Sequence, residues 1–369
     1  MLRILHVVTH MNRGGLETML MNYYRNIDRT KIQFDFLTHR EYDGDYGEEI
    51  KSLGGKIYHL PVLNPLSIKY RSALDHFFYE HKEYQIIHVH QDCMSSVILR
   101  SAWKHGVQIR IAHSHSSSQD KNLKYLLKMY YRKKIPKYAT ELFSCSIEAG
   151  IWMFGNRKIQ VLNNAIDSEK YIFRQEIRNK IRKSFDIHEN EILVGHVGRF
   201  CYPKNHLFLL DIFNVIQKKI SAKLILVGDG ELRNKIEEKV IKYGLERKVI
   251  LTGIRSDVAD LMQAMDVFIF PSHYEGLPVT LIEAQAAGLA CLISDKVPIE
   301  SKITDLVHQI ELDKPAGVWA DMAIRLSHSK REDKSSEIKK AGFDIKQNAE
   351  WLQKYYFDIS EEEEVVCRS

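Results

Sequence analysis

The chain has 369 residues, 44% of them hydrophobic and 27% charged, with a formal net charge of +5. That length is too great for one ordinary domain and suits two, and no apolar run approaches the roughly 20 residues a membrane-spanning helix requires. Five cysteines, Cys93, Cys145, Cys201, Cys291 and Cys367, are scattered without a Cys-x-x-Cys pair, which argues against a disulfide framework and against a cysteine-based zinc site.

MLRILHVVTH predicts a first strand; its apolar run is too short and too rich in histidine for a signal peptide, so the expected location is the cytoplasm. HMNRGGLETML then sets Gly14 and Gly15 between that strand and the helical ETMLMNYYRNI. The pair is not a G-x-G-x-x-G fingerprint; it either lets a ligand approach backbone and helix end or makes a tight turn. FDFLTH, KIYHLPV, QIIHVHQ, QIRIAHSHS, ELFSCS and IQVLNNAI follow as strands. Within them His88 and His90, and again His113 and His115, alternate, so each pair shares one face of its strand. No cysteine or carboxylate follows at metal spacing, and a metal ranks below the other readings. At the end of RIAHSHSSS a histidine either bonds a sugar hydroxyl or packs as a structural side chain.

From Lys121 to Thr140 there are seven basic residues and no acidic ones. Leu123, Leu126, Leu127, Tyr130 and Tyr131 recur at helical spacing, Lys121, Lys124, Lys128 and Arg132 occupy another face, and Pro136 marks the expected end. Two readings stand side by side: a helix resting on an anionic membrane surface, or a solvated face over an ordinary core contact.

After a charged stretch without strand signals, SEKYIFRQEIRNKIRKSFDIHENE, the alternation resumes with ILVGHVGRF, KLILVGDG, KVILTGI, DVFIFPS and LACLISD, separated by amphipathic runs such as NHLFLLDIFNVIQKKI. Strands alternating with helices imply βαβ units and parallel sheets. The expected architecture is therefore α/β, two doubly wound domains facing each other, with ligands outside the carboxyl ends of the strands, in the cleft. The segment SEEEEVVCRS carries four consecutive glutamates and is expected to fray.

The strand ends of the second half carry the chemistry. DVFIFPS delivers the chain to HYEGLP, and VTLIEAQAA follows as a helix, with Pro278 suited to its first turn and Gly288 to its stop. A helix N-terminus after a parallel strand is an anion site. Glu275 on the loop and Glu283 in the helix, leaning back toward its start, face one pocket beside that site. Carboxylates accept hydrogen bonds from sugar or ribose hydroxyls, and two of them with an anion site suggest a nucleotide-sugar diphosphate. ILVGHVGRFCYPKN adds Gly198, Arg199 and Lys204 at another strand end, two cations for a diphosphate with a glycine for close approach. VGDGEL and LTGIRSDV bring Gly228, Gly253 and Ile254 to further strand ends, where they would wall a base and ribose.

Together these residues resemble the retaining nucleotide-sugar glycosyltransferases of family 4, with the GT-B fold of two facing Rossmann-like domains and a deep inter-domain cleft. The E-x7-E element from Glu275 to Glu283 is the strongest match, GRFCYPKN resembles the family's Gly-Arg…Lys element, and GGLETMLMNYYR with RIAHSHSS is similar to enzymes of bacterial exopolysaccharide or capsule synthesis. The resemblance implies an acceptor domain over 1–168, a linker over 169–190, a donor domain over 191–345, and over 346–369 a terminal helix crossing back to the first domain. It implies that Arg199 and Lys204 hold the diphosphate and stabilise the leaving nucleotide, that Glu283 binds the ribose, and that Glu275 lies near the donor sugar. Backbone N–H groups around Gly276, Leu277, Pro278 and Val279 complete the cradle, Gly15 lies near the diphosphate and acceptor, and His115, or His113 if the alignment slips by two, contacts the donor sugar. No cofactor or metal is implied, the nucleotide sugar being a substrate. The implied partners are a UDP- or GDP-sugar and a glycan or polyprenyl-linked acceptor, at the inner face of the plasma membrane if the basic helix from Lys121 to Lys137 touches it.

Two other readings compete with a hexosyltransferase. A nucleotide-sugar epimerase shares the architecture but needs acid and base carboxylates over the sugar, which the first half lacks. A non-catalytic nucleotide-binding relative keeps the site without turnover. Nucleic acid is disfavoured, since the basic cluster is local and no recognition motif is present.

Overall fold

The computed structural model describes residues 1–116 and 125–368, with side chains through Glu361; Lys121, Leu123 and Lys124 lie outside the described residues. The chain forms two compact units, Met1–Ala165 with Ile345–Ser369, and Ile166–Asp344.

The first unit is a seven-stranded sheet ordered β3-β2-β1-β4-β5-β6-β7. Its strands are β1 Leu2–Val7, β2 Ile32–Thr38, β3 Ile57–His59, β4 Ile86–Val89, β5 Ile109–Ser114, β6 Glu141–Ser144 and β7 Gln160–Val161. Every pairing is parallel. Both faces are covered, so apolar residues dominate the central strands, and polar ones such as His6, Asp35 and His88 are buried with hydrogen-bond partners. Along β1 and just beyond it, Ile4 and Val8 enter one core cluster while Leu5 and Val7 enter another. The helix Ile345–Arg368, which includes the four-glutamate run, returns to this unit, and its Ile345, Ala349, Leu352 and Tyr356 share a core with Phe34, Phe36 and Phe143.

The second unit has six strands ordered β10-β9-β8-β11-β12-β13: β8 Ile192–Val197, β9 Ala222–Val227, β10 Val249–Gly253, β11 Val267–Phe270, β12 Ala290–Ser294 and β13 Val307–Ile310. The strand β13 was not expected. Its sequence VHQI lies on the sheet edge beside β12 and is only partly buried, so it carries neither alternation nor an apolar run. Residues 169–190, read from the sequence as a linker, belong to this unit: they hold the helix Gln175–Ser184, whose Arg178 and Arg182 bind Asp266 at 2.6 and 3.1 Å.

Pro136 does not end its helix, which runs Tyr125–Tyr138. The proline sits in the last turn, and Ala139 N–H still closes that turn on the Ile135 carbonyl at 3.0 Å. On the same helix Leu126 and Tyr130 are 80% and 53% exposed, so part of the apolar face expected to pack inward is uncovered among the described residues. No helix among the described residues is long and apolar enough to cross a membrane.

Candidate active site

In each sheet the strand order reverses once, between β1 and β4 and between β8 and β11, and such switch points are where open α/β sheets bind ligands. In the second unit the loops leaving β8 and β11 are tied together. His273 N–H donates to the Pro203 carbonyl at 2.8 Å, and the Asn205 side-chain amide donates to the Pro271 carbonyl at 3.0 Å. The Tyr202 and His273 rings stack with centroids 4.6 Å apart. Asn205 takes a left-handed conformation, φ 53°, to start the helix His206–Lys219, and its amide bond offsets part of that cost.

These ties place Lys204 Nζ 2.9 Å from Glu275 Oε2, both side chains largely buried, with the ammonium 4.7 Å above the Phe270 ring centroid. The other carboxylate oxygen, Glu275 Oε1, is buried and has no hydrogen-bond partner among the described residues. Leaving a buried acceptor unpaired costs about 1–3 kcal/mol. A sugar hydroxyl would satisfy it.

Four residues on, the helix Val279–Ala286 begins after Pro278 and stops at Gly288, whose φ of 68° suits the position after the cap. Glu283 is buried and accepts from the Tyr171 hydroxyl at 2.6 Å. Burial raises its pKa, and the Tyr171 bond opposes that rise. The helix itself is firmly held. Gln285 donates to the Leu281 and Ser301 carbonyls and accepts from the Ile303 and Thr304 amides, while Arg331 donates to the Ala287 carbonyl and to carbonyls ending the helix Val258–Ala264.

The glycines divide by role. Gly228 has φ 141°, and a Cβ there would meet the Gly198 carbonyl oxygen at 2.1 Å, so the turns after β8 and β9 pack backbone to backbone. Gly253 has φ 70° with open space where a side chain would be, beside the exposed Ile254. Arg199 is 73% exposed and pairs with Glu231 at 3.1 Å, a surface contact of the kind worth little, which leaves its guanidinium available to a phosphate. Gly276 is exposed, Leu277 and Val279 pack partly on the core, and Pro278 is buried.

In the first unit Gly14 caps the helix Gly15–Asn26. A Cβ on Gly14 would meet Glu17 Oε2 at 2.4 Å, whereas one on Gly15 would meet nothing within 4 Å. Gly14 therefore makes room for the Glu17 carboxylate, and Gly15 presents open backbone. Glu17 is buried, lies 3.2 Å from His10 Nδ1, and has its pKa pushed up to about 7 by burial.

His115 stands half-buried just past β5, and His113 is buried within it. They end two parallel rows. His6 Nδ1 meets His90 Nε2 at 3.0 Å and His90 Nδ1 meets His115 Nε2 at 2.8 Å; beside them the Tyr356 hydroxyl meets His88 Nδ1 at 2.7 Å and His88 Nε2 meets His113 Nδ1 at 3.0 Å. His6, His88 and His90 come within ligating reach of one another, as do His90, His113 and His115. A metal must lie near the plane of each imidazole. In the first trio His6 and His90 meet edge to edge through their hydrogen bond while His88 and His90 stack with centroids 4.5 Å apart, and in the second His113 and His115 stack at 4.1 Å with the His90 ring tilted 36–41° to them.

The structure thus places Gly15 and His115 at strand ends of the first unit, and Arg199, Lys204, Glu275, Glu283 and the other candidate glycines at those of the second. Sequence reasoning missed Tyr171, Glu17 and the Lys204–Glu275 pair. For Glu17 the signal was present, a carboxylate three residues after a glycine cap; Tyr171 lies 112 residues from its partner and gave none.

Comparison with known proteins places the fold in a family. The family model for glycosyl transferases group 1 matches residues 177–342. The chain is 36% identical to EpsF of Bacillus subtilis (strain 168), a protein named as a glycosyltransferase, over 98% of each chain. It is 25% identical to CapH of Staphylococcus aureus, named as a capsular polysaccharide biosynthesis glycosyltransferase, over 96% of this chain and 99% of that one. Among solved structures, Anabaena Alr3699/HepE in complex with UDP-glucose superposes with a TM-score of 0.80 at 15% identity, covering 97% of this chain and 100% of that one. With two Rossmann-like parallel-sheet units of GT-B type and a full-length relative at this identity, the chain belongs to the group 1 glycosyltransferases.

Proposed function

We propose that the protein is a retaining hexosyltransferase of family 4 that moves a sugar from a UDP- or GDP-linked donor to a glycan or lipid-linked glycan acceptor in bacterial exopolysaccharide or capsule synthesis. The observation that carries this reading is the Lys204–Glu275 pair, with Glu275 Oε1 unpartnered beside the helix that holds Glu283. Lys204 and Arg199 would neutralise the diphosphate as the bond from the anomeric carbon to the phosphate oxygen breaks and the electron pair leaves with the nucleotide. Glu275 would accept a donor-sugar hydroxyl and Glu283 the ribose hydroxyls. The anomeric carbon would bond to the acceptor oxygen on the face the phosphate leaves, and the departing phosphate would take the acceptor's proton. Two cations supply the charge a metal would otherwise bring, and no cofactor is invoked. UDP-glucose in the related fold of Anabaena HepE supports a UDP donor. The kinship with named glycosyltransferases favours transfer over epimerisation.

The test is thermal stability against UDP-, GDP-, ADP- and CMP-sugars without added metal. A donor present at ~100 times its Kd stabilises by about 2.7 kcal/mol, a visible rise in Tm, and Glu283→Ala should abolish the rise. A chain indifferent to every nucleotide would refute the reading.

The cytoplasm, at the membrane's inner face, is the proposed location. Leu126 and Tyr130 stand exposed on a helix whose Lys134 ammonium lies 4.0 Å from the Tyr130 ring centroid, an apolar and basic surface suited to anionic lipid. Co-sedimentation with vesicles containing phosphatidylglycerol, weakened by Leu126→Glu, is the expected result; no binding to such vesicles would leave only a solvated face.

A further inference from the structure

We propose that His90, together with His6, is a positioning residue that fixes the tautomer of His115, so that His115 offers Nδ1–H as a hydrogen-bond donor to an oxygen of the donor sugar. This rests on the reading of His115 as a sugar contact and adds which of its nitrogens carries the proton, and why.

All three rings are held neutral by burial, with the His6 and His115 pKa values lowered to about 3 and that of His90 well below its ordinary value. A neutral imidazole has one N–H donor and one bare nitrogen. His90 uses both of its nitrogens, meeting His6 Nδ1 at 3.0 Å and His115 Nε2 at 2.8 Å, so it must donate to one neighbour and accept from the other. The row therefore has only two self-consistent arrangements. In one, His6 donates from Nδ1 to His90, His90 donates from Nδ1 to His115, and the His115 proton sits on Nδ1. In the other every bond reverses, and His6 carries its proton on Nε2.

The buried end of the row decides between them. His6 Nε2 is buried without a hydrogen-bond partner among the described residues, and the ring packs against Phe34 and Phe36 with centroids 4.2 and 5.8 Å away. A buried N–H left without an acceptor is the rarer and costlier defect, while a bare nitrogen lone pair is better tolerated. The first arrangement prevails, and which nitrogen of His115 is protonated follows from the bond its other nitrogen makes. The backbone of His115 is held as well. Its N–H donates to Asp92 Oδ1 at 3.4 Å, and Asp92 adopts φ 44°, a strained conformation that a non-glycine residue keeps only where its surroundings impose it. The Tyr356–His88–His113 row lies alongside, its His113 ring stacked on His115 at 4.1 Å, and restrains the ring's tilt.

Two-bond 1H–15N correlation on protein labelled at histidine distinguishes the tautomers, with His115→Ala identifying the signal. The expected spectrum shows His115 protonated at Nδ1. His90→Phe takes away the N–H that fixes the tautomer, so Nε2-protonated His115 should appear beside the Nδ1 form and kcat should fall by up to about tenfold, the value of one hydrogen bond, with donor KM little changed. His90→Gln, whose amide donates from nitrogen and accepts at oxygen, should restore both. A wild-type His115 protonated at Nε2 would overturn the proposal without any variant having to fold. Full activity in His90→Phe alongside a dead His115→Ala would overturn it too. Full activity in His115→Ala would instead remove the sugar contact on which it rests, and donor binding measured on the same variant would show whether the transferase reading survives.

Discussion

Acidification from pH 7.5 to 5.5 is expected to melt the first unit well before the second. Six of its histidines, the buried His6, His39, His88, His90 and His113 and the half-buried His115, have pKa values depressed below the ordinary 6.5 by burial, to about 3 for His6 and His115 and about 4 for His39. The unfolded chain takes up protons at these sites as pH falls through about 6.5, and the folded unit does not, so stability rises with pH across this window and is lost below it. At one unit below 6.5 each group costs about 1.4 kcal/mol, which makes the six together worth on the order of 8 kcal/mol. Glu17 acts in the opposite sense: its folded pKa is raised, so protonation favours the folded state as pH falls and returns about 2 kcal/mol. Carboxylates with lowered pKa values, such as Asp43 and Asp75, titrate below this window. The net loss is on the order of 6 kcal/mol, comparable to the 5–15 kcal/mol that holds an ordinary domain together. The second unit has three such histidines against six, the buried His196 and His206 and the half-buried His308, with Glu283 offsetting them. Calorimetry at pH 5.5 should therefore show two separated transitions, the earlier shifted down by more than ~10 °C from its position at pH 7.5. A single transition unmoved over that range would mean that the histidines are not buried neutral in solution.

Lys204→Ala is expected to lower kcat/KM for sugar transfer by about 10²–10³, the usual cost of removing a preorganised charge that meets negative charge developing in the transition state. The substitution acts twice. It takes a cation from the leaving diphosphate, and it deprives Glu275 Oε2 of its charged partner at 2.9 Å, leaving a buried carboxylate with neither oxygen paired among the described residues. Because the two side chains work as one unit, Lys204→Ala with Glu275→Ala should be little worse than either alone. Rates of nucleotide release, with far-ultraviolet circular dichroism to confirm folding, would measure this. Strictly additive losses would separate the two residues, and a loss of less than threefold would remove Lys204 from the chemistry.

The parts of the site legible in the sequence were those that lie close together along it. Glu275, Pro278, Glu283 and Gly288 fall within one loop and one helix, so strand propensity, helix entry and 3.6-residue periodicity were enough to set them on the same side. Lys204 and Glu275 come from loops 71 residues apart, and only the adjacency of β8 and β11, established by the switch in strand order, brings them into contact. The histidines were visible as an alternation on two strands. His6 completes their row only through the parallel register that sets it opposite His88, which no local pattern encodes. Residues 169–190 looked like a linker because their helix is mostly charged, and it is the buried Arg182 and its ion pair with Asp266 that fasten it to the second unit. VHQI in β13 carried no strand signal because edge strands need not be apolar.

The discontinuous first unit imposes an order on synthesis. The ribosome delivers residues 1–165 early, yet the core containing Phe34, Phe36 and Phe143 is closed by Ile345, Ala349, Leu352 and Tyr356. The second unit is one unbroken segment, Ile166–Asp344, and can be complete while the first still waits for its last helix. For the time needed to make some 180 residues, about 10–40 s at ordinary elongation rates, the nascent N-terminal half carries an uncovered aromatic surface and a histidine row whose neighbour lacks its tyrosine. The part of the protein that emerges first is thus the last to be finished.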